Sequence, residues 1–196
     1  MRPAYARAFS GIIFVMIIGI TGTLGAGKGT VVAYLKGKGF THYSVRDFLT
    51  AELNKRGLEK NRDNMLAVAN ELRATYGPGY IADQLIAQAA AGGGNAVIES
   101  IRSLGEGATI KASGGRMWAV DADLPVRYAR ITKRGTETDA VSYEKFVQDE
   151  QAEYANTDPS KNNLQKLIET ADAVFQNNGT QEELFAQVEL ALHKSA

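Results

Sequence analysis

The sequence has no cysteine and only two histidines, His42 and His193, among its 196 residues. Disulfide cross-links, thiolate nucleophiles and cysteine metal sites are therefore excluded, and so is a histidine-rich metal centre. The chain also lacks an excess charge of either sign, since 22 basic residues balance 22 acidic ones. Nothing in that balance favours nucleic acid or an acidic membrane surface as a partner. Any bound metal must be held by oxygen ligands, which suits magnesium.

A long apolar run is missing as well. The apolar stretch 11–20 is too short to cross a bilayer, although Arg2 and Arg7 before it imitate the start of a secretory signal. We reject a cleaved signal because the second half of this stretch is needed as a strand. Residues 1–15 are predicted to be a poorly ordered extension ahead of Met16, which is itself a natural start. The cytoplasm is the expected location.

A glycine-rich segment follows this strand and reads GTLGAGKGT between Gly22 and Thr30. Gly22, four residues and then Gly27-Lys28 have the spacing of the nucleotide-binding P-loop. Glycines let backbone N–H groups turn toward an anion, and the helix predicted from about Thr30 adds unpaired donors of its own. Lys28 supplies a mobile positive charge. The residues predicted to bind phosphate are Gly22, Leu24, Gly25, Ala26, Gly27, Lys28, Gly29 and Thr30.

Beyond this loop the sequence alternates strands with helices. Short apolar runs predict strands at 40–43, 96–98, 117–120 and 173–175, and apolar residues at helical spacing predict helices between them. Among these predicted helices are ones at about 48–55, 104–112, 143–154 and 161–170. This alternation predicts a three-layer α/β/α domain over residues 16–196, built on a five-stranded parallel sheet. Residues 44–94 are predicted to form a helical insertion, and residues 135–142 a short lid.

Ligands of parallel sheets lie beyond the carboxyl ends of the strands. The segments that follow the five predicted strands should therefore meet at one edge of the sheet. These segments are the P-loop and residues 44–47, 99–102, 121–123 and 177–179.

Four motifs occur in order along the chain: GKGT at 27–30, HYSVRDFL at 42–49, ESIR at 99–102 and NNGT at 177–180. Together they resemble the nucleoside monophosphate kinase superfamily, and most closely the archaeal adenylate-kinase-related proteins labelled dephospho-CoA-kinase-like. The glycine after Lys28 is similar to the adenylate kinase form of the P-loop. The resemblance extends from residue 16 to about residue 193. It implies a P-loop NTPase fold and phosphoryl transfer from ATP, with Mg²⁺, to a small nucleotide.

The resemblance implies three catalytic roles. Lys28 would bridge the β and γ phosphates of ATP, Arg102 would clamp the acceptor's phosphate, and Arg134 would neutralise the group in transfer. Thr30 would lie by the magnesium ion or its waters, and Glu99 would hold the ion indirectly. Arg130, Asn178 and Gly179 would flank the adenine of ATP.

The acceptor side departs from the resemblance at two positions. Thr50 stands where an arginine is usual, so either Arg46 replaces that charge or the charge is missing. Glu106 stands where adenylate kinases carry a glutamine that reads adenine, and a carboxylate there favours an exocyclic amine or a sugar hydroxyl. Asp47 either caps its helix or contacts substrate. The predicted acceptor contacts are Ser44, Arg46, Asp47, Arg102 and Glu106.

Other polar residues have simpler interpretations. Arg127 is predicted to be a solvated helix residue, Asp121 and Asp123 turn or cap residues, and His42 a surface or structural residue. Trp118 is predicted to lie in the core.

Two other functions stay open. A dephospho-CoA kinase would need a base such as Asp47 near a ribose hydroxyl, whereas a monophosphate acceptor brings its own nucleophilic oxygen and needs arginines. Arg102 favours the monophosphate. A nucleotide-dependent ATPase or switch without a dedicated acceptor would fit the reduced arginine set. The expected state is a monomer or weak homodimer.

Overall fold

A computed structural model describes residues 16–135, 142–154 and 162–195. The predicted extension, 1–15, and residues 136–141 of the predicted lid lie outside the described residues. Five strands form one sheet in the order β2-β3-β1-β4-β5, and every neighbouring pair is parallel. The five-stranded parallel sheet is therefore confirmed. The strands are β1 (Ile17–Gly22), β2 (Thr41–Ser44), β3 (Ala96–Glu99), β4 (Arg116–Asp121) and β5 (Ala173–Gln176).

Nine helices occur within the described ranges. Three of them, α2 to α4, lie between β2 and β3, as predicted for the helical insertion. Among the described residues, none of the helices is both long enough and apolar enough to span a bilayer. The helices are α1 (Lys28–Gly37), α2 (Val45–Arg56), α3 (Arg62–Tyr76), α4 (Tyr80–Gly92), α5 (Leu104–Ala112), α6 (Leu124–Arg134), α7 (Tyr143–Tyr154), α8 (Leu164–Glu169) and α9 (Gln181–Ser195).

The sheet separates two hydrophobic cores. Successive strand residues point to opposite faces, so Val97 packs in one core and its neighbour Ile98 in the other. The first core lies between the sheet and α1 with α9, and the predicted core residue Trp118 is buried there. The second core lies between the sheet and helices α2 to α5, where Leu53 and Leu72 are buried. Helices on both faces of the sheet make the domain three layers thick.

The strand register brings the loops of interest together. Ile20 of β1 is paired with Glu99 of β3, and Ser44 of β2 is paired with the same Glu99. On the other side of β1, Gly22 is paired with Val120 of β4. Because all strands run in the same direction, the segments that follow them leave the sheet along one edge.

Candidate functional site

The P-loop connects β1 to α1 and depends on glycine at its two ends. Gly22 has φ +137° and Gly27 has φ +101°, in a region that favours glycine. A Cβ at Gly22 would overlap the carbonyl oxygen of Val120, and a Cβ at Gly27 would overlap the side-chain nitrogen of Asn177. Glycine is therefore required here both by backbone conformation and by close approach of neighbouring elements.

The amino terminus of α1 differs from that of α2 in its capping and its charge. Among the described residues no side chain caps this helix at Gly27, and its first turn has no acidic residue. By contrast, α2 is capped by Ser44 and carries Asp47 in its first turn. A Cβ added at Gly29 would meet no atom within 4 Å, so the space there is open. An uncapped helix amino terminus presents backbone N–H groups and the positive end of the helix dipole, which are the features that favour an anion.

Lys28 lies across this loop. Its Nζ donates hydrogen bonds to the carbonyl oxygens of Gly22, at 2.9 Å, and Thr23, at 2.8 Å. The ammonium group is therefore held next to the loop that is predicted to bind phosphate. A mobile lysine in this position supplies a point charge for phosphate oxygens.

Three side chains from later parts of the chain hold the P-loop from outside. They come from the end of β4, from α6 and from the segment after β5, and each bonds a different residue of the loop. The bonds are Thr23 Oγ1 to Asp121 Oδ1 at 2.7 Å, an Arg127 N–H to the Leu24 carbonyl at 3.4 Å, and Asn177 Nδ2 to the Ala26 carbonyl at 2.7 Å. These contacts fix the loop before any ligand is bound, which lowers the entropic cost of binding.

Arg127 is buried, with 5% of the residue exposed, so its predicted role as a solvated helix residue is wrong. Its Nε donates to the Ala122 carbonyl at 2.7 Å, and its Nη1 lies 2.7 Å from Glu150 Oε1. The guanidinium also lies 5.7 Å from the centre of the Phe146 ring. Local sequence gave no signal for this role because Glu150 and Phe146 belong to α7, beyond the predicted lid.

The late loop forms a cluster with α6. The predicted adenine contact Arg130 donates from Nη1 to the carbonyl of Asn177 at 2.8 Å. Asn178 accepts at Oδ1 from the backbone N–H of Asp123 at 2.7 Å. The structure thus brings Arg130, Asn178 and the neighbouring Gly179 to one place, and their contact with adenine stays a prediction. Sequence reasoning missed Asn177, although it belongs to the NNGT motif.

The segment after β3 is tightly folded. Glu99 Oε2 lies 3.1 Å from His42 Nε2, and both side chains are about one quarter exposed. The next residue, Ser100, has φ +71°, a conformation that costs about 1–2 kcal/mol for a residue with a Cβ. Ile101 is fixed by its N–H bond to the Ile20 carbonyl at 3.2 Å. The backbone therefore turns sharply before Arg102, which is half-buried.

The candidate metal ligands are few. Thr30 lies in the first turn of α1, and Glu99 lies at the end of β3. Within the described ranges no group of three or more histidine, aspartate or glutamate side chains could hold a metal ion. Mg²⁺ usually keeps several waters and binds through one or two carboxylates with substrate phosphates. The residues present fit that mode of binding rather than an all-protein site.

Glu106 has a structural role instead of its predicted contact with the acceptor. Its side chain is fully buried, and Oε1 accepts from Nε and Nη2 of Arg73 at 3.0 and 2.9 Å. Oε2 accepts from the backbone N–H groups of Arg102 and Ser103 at 3.3 and 3.4 Å. Ser103 in turn caps α5, which completes a capping box. The spacing S-x-x-E was the local signal that sequence reasoning overlooked.

The other predicted acceptor residues lie at the start of α2. Ser44 is buried and accepts the N–H of Asp47 at Oγ, 3.2 Å away, so it caps the helix rather than presenting its hydroxyl outward. Of the two roles left open for Asp47, capping therefore belongs to Ser44. Asp47 and Arg46 are exposed, and their contact with an acceptor stays a prediction. Arg134 is exposed at the end of α6, next to residues outside the described ranges.

Similar proteins share most of this chain. A UPF0200 protein of Thermococcus kodakarensis, TK1334, is 29% identical over 180 residues, which cover 88% of this chain and 94% of that protein. The crystal structure of TT1252 from Thermus thermophilus has a TM-score of 0.60 at 21% identity, over 92% of this chain and 97% of that one. Shikimate kinase from Bacteroides thetaiotaomicron has a TM-score of 0.54 at 12% identity, over 91% and 97% of the two chains. At these identities the two structures show a shared fold.

A family model described as an AAA domain matches residues 18–156. That range includes the P-loop, the helical insertion, the segment 99–102 and α6. The fold predicted from the four motifs is confirmed, since shikimate kinase shares it. Because the match covers most of the chain, the protein belongs to this AAA domain family and has the fold of the P-loop kinases.

Proposed function

We propose that this protein is an ATP- and Mg²⁺-dependent kinase that phosphorylates a small nucleotide, with a nucleoside or deoxynucleoside monophosphate as its preferred acceptor. One observation carries the proposal. The P-loop with Lys28 and the segment with Arg102 follow neighbouring parallel strands, β1 and β3, with Ile20 paired to Glu99. The segment that carries Arg102 therefore leaves the sheet next to the P-loop, which supports a second phosphate site there with Arg102 as its clamp.

Phosphoryl transfer requires positioning and charge neutralisation more than covalent help. The amino terminus of α1 would bind the terminal phosphates of the donor, and Lys28 would move from the carbonyls of Gly22 and Thr23 to their oxygens. Arg102 would orient the acceptor's phosphate so that one of its oxygens bonds to the γ phosphorus while the bond to ADP breaks. Arg134 would neutralise the charge that develops on the transferring group. Mg²⁺, bound with Thr30 and Glu99 or their waters, would supply further neutralisation.

A hydroxyl acceptor, as in dephospho-CoA kinase, is the second candidate. Asp47 is exposed, and it does not cap α2, because Ser44 has that role. An exposed carboxylate after β2 is suited to take the proton of a hydroxyl. The same fold also occurs in a shikimate kinase. An ATPase without a dedicated acceptor is the third outcome that an experiment must separate.

A coupled assay of ADP production separates these functions. Purified protein with ATP and Mg²⁺ is tested against a panel of nucleoside and deoxynucleoside monophosphates and against dephospho-CoA. We expect a monophosphate to raise ADP production well above the rate in water alone. Turnover with dephospho-CoA only would support the hydroxyl acceptor, and no increase with any acceptor would contradict the kinase proposal.

Variants then test the two phosphate sites. Lys28→Ala should abolish turnover, whereas Arg102→Ala should mainly raise KM for the acceptor, by about tenfold or more for a lost charged hydrogen bond. Arg116→Ala is a matched control, because Arg116 is exposed at the opposite end of β4. An unchanged acceptor KM in Arg102→Ala would mean that the acceptor binds elsewhere.

A further inference from the structure

Arg73 and Glu106 form a buried ion pair between α3 and α5. Their side chains are 2% and 0% exposed, and the guanidinium donates twice to Oε1 of the carboxylate. A buried pair of this kind is often no more stable than apolar residues of similar volume, because both charges lose their hydration. A contribution to stability therefore does not by itself explain this ion pair. The pair also bonds to neighbouring groups.

The second carboxylate oxygen of Glu106 leads to the acceptor segment. It accepts the backbone N–H groups of Arg102 and Ser103. On the other side, the carbonyl of Arg102 accepts the N–H of Asn163 at 2.9 Å. Both the N–H and the carbonyl of Arg102 are therefore hydrogen-bonded. The bond from the N–H goes to the Glu106 carboxylate, which Arg73 orients.

Arg73 belongs to the helical insertion. On α3 it follows Val68, Ala69 and Leu72, which are buried in the core that this insertion shares with the sheet. A displacement of α3 would move the guanidinium, and with it the carboxylate that holds the Arg102 backbone. The ion pair therefore connects the position of the insertion to the candidate acceptor arginine.

We propose that Arg73 is a positioning residue that acts through Glu106 to fix Arg102 for the acceptor's phosphate. This inference rests on the proposed function for its catalytic consequence, but the hold on the Arg102 backbone is a property of the fold. The two parts can therefore be measured separately.

The test uses a neutralised pair, because Arg73→Met alone would leave a buried carboxylate without its cation and would threaten folding. The double variant Arg73→Met/Glu106→Gln removes both charges and keeps an oxygen for the Arg102 and Ser103 amides. Arg73→Lys retains the charge but not the planar fork. Arg56→Gln is the matched control, since Arg56 joins α2 to α3 by a 2.8 Å bond to Glu71 that is exposed.

Hydrogen exchange of the Arg102 and Ser103 amides provides the readout that does not depend on turnover. In the double variant the retained oxygen is uncharged and no longer oriented by a guanidinium, so we expect exchange at these two amides to accelerate at least tenfold. The acceleration should be smaller in Arg73→Lys, and Arg56→Gln should leave the exchange unchanged. Unchanged exchange at Arg102 in the folded double variant would overturn the inference, whatever the enzyme's activity.

Kinetics provide the second readout. In the double variant, KM for the acceptor should rise at least tenfold while KM for ATP stays within twofold. The same substitutions in an Arg102→Ala background should have little further effect, because residues that act through one group are not additive. Equal rises in both KM values, or additive effects, would overturn positioning through Arg102. Absence of turnover in the unmodified protein would refute the proposed function and leave the exchange result to decide the inference.

Discussion

Gly27 lies at the junction of the P-loop and α1, and both its backbone conformation and its close neighbours require glycine there. Its φ of +101° is costly for a residue with a Cβ, and the added carbon would displace the side chain of Asn177. Asn177 is the residue that bonds the Ala26 carbonyl. The conformation of the loop and its support from the late segment therefore depend on the same glycine.

Gly27→Ala should destabilise the protein by about 1–2 kcal/mol through left-handed strain alone, and it should weaken binding of an ATP analogue at least tenfold. Urea unfolding and titration calorimetry measure the two effects. Gly37→Ala is the control, since Gly37 lies in the last turn of α1 with open space around it. That substitution should leave stability unchanged or raise it by up to about 1 kcal/mol. Equal binding by Gly27→Ala and the unmodified protein would contradict the account of the loop.

The glycine-rich turn between β1 and α1 was predictable from sequence because its signal is local. Its four glycines and its lysine all fall within the nine residues 22–30. The roles of Arg73 and Arg127 were not recognisable, since their carboxylate partners lie 33 and 23 residues further along the chain. Nothing in a single sequence shows which distant charges become buried together, so Glu106 was assigned to substrate when its partner is Arg73.

At the scale of elements, α7 supports the P-loop through α6. Glu150 on α7 pairs with Arg127 on α6, and their side chains are 12% and 6% exposed. The same guanidinium reaches the Leu24 carbonyl. The packing of α7 against α6 is thereby connected to the conformation of the P-loop.

Arg127→Met should lower the free energy of unfolding by about 3 kcal/mol, because it leaves a nearly buried carboxylate without its cation. The double variant Arg127→Met/Glu150→Gln should recover part of this loss. Arg56→Gln removes two ion pairs that are more exposed, with Glu52 and Glu71, and should cost about 1 kcal/mol or less. Urea unfolding of the four proteins tests this, and a loss in Arg127→Met no larger than in Arg56→Gln would contradict it.

The contact between α1 and α9 is sensitive to acid. Glu189 on α9 accepts from Lys38, 2.7 Å away, and from the Tyr34 hydroxyl, and these bonds lower the pKa of its carboxyl below the ordinary value of 4.5. A carboxyl whose pKa is lower in the folded state stabilises the fold above its unfolded pKa. That contribution is lost as pH falls through the folded pKa.

The Tm of the unmodified protein should therefore exceed that of Glu189→Gln near pH 6–7, and the difference should shrink as pH falls below about 4.5. Thermal unfolding followed by circular dichroism between pH 3 and 7 measures it. A difference that stays constant or grows with acidity would show that the charge of Glu189 does not stabilise this contact.

Some helix boundaries were predicted closely and others were not. The helices predicted at 104–112 and 143–154 have those bounds. In contrast, α2 begins at Val45 rather than near Phe48, because Ser44 closes the first turn on the N–H of Asp47. The predicted helix at 161–170 is shorter, since Asn163 caps α8 by accepting the N–H of Lys166.

At the scale of the whole molecule, one parallel sheet explains why separate motifs form one site. Its register brings the ends of β1, β2 and β3 to the same level. Alternation of strands and helices was enough to predict this edge and the two covered faces. The acceptor side was less predictable, because its shape depends on how α2 to α4 pack against α5, which no local pattern specifies.

The fate of the γ-phosphoryl group tests the proposed kinase activity directly. The protein is incubated with ATP labelled at the γ phosphate, Mg²⁺ and each nucleoside monophosphate, and the products are separated by chromatography. We expect the label to appear in a nucleoside diphosphate, and we expect Lys28→Ala to abolish formation of this product. Label found only in inorganic phosphate, or only in a product phosphorylated on a hydroxyl, would contradict this expectation.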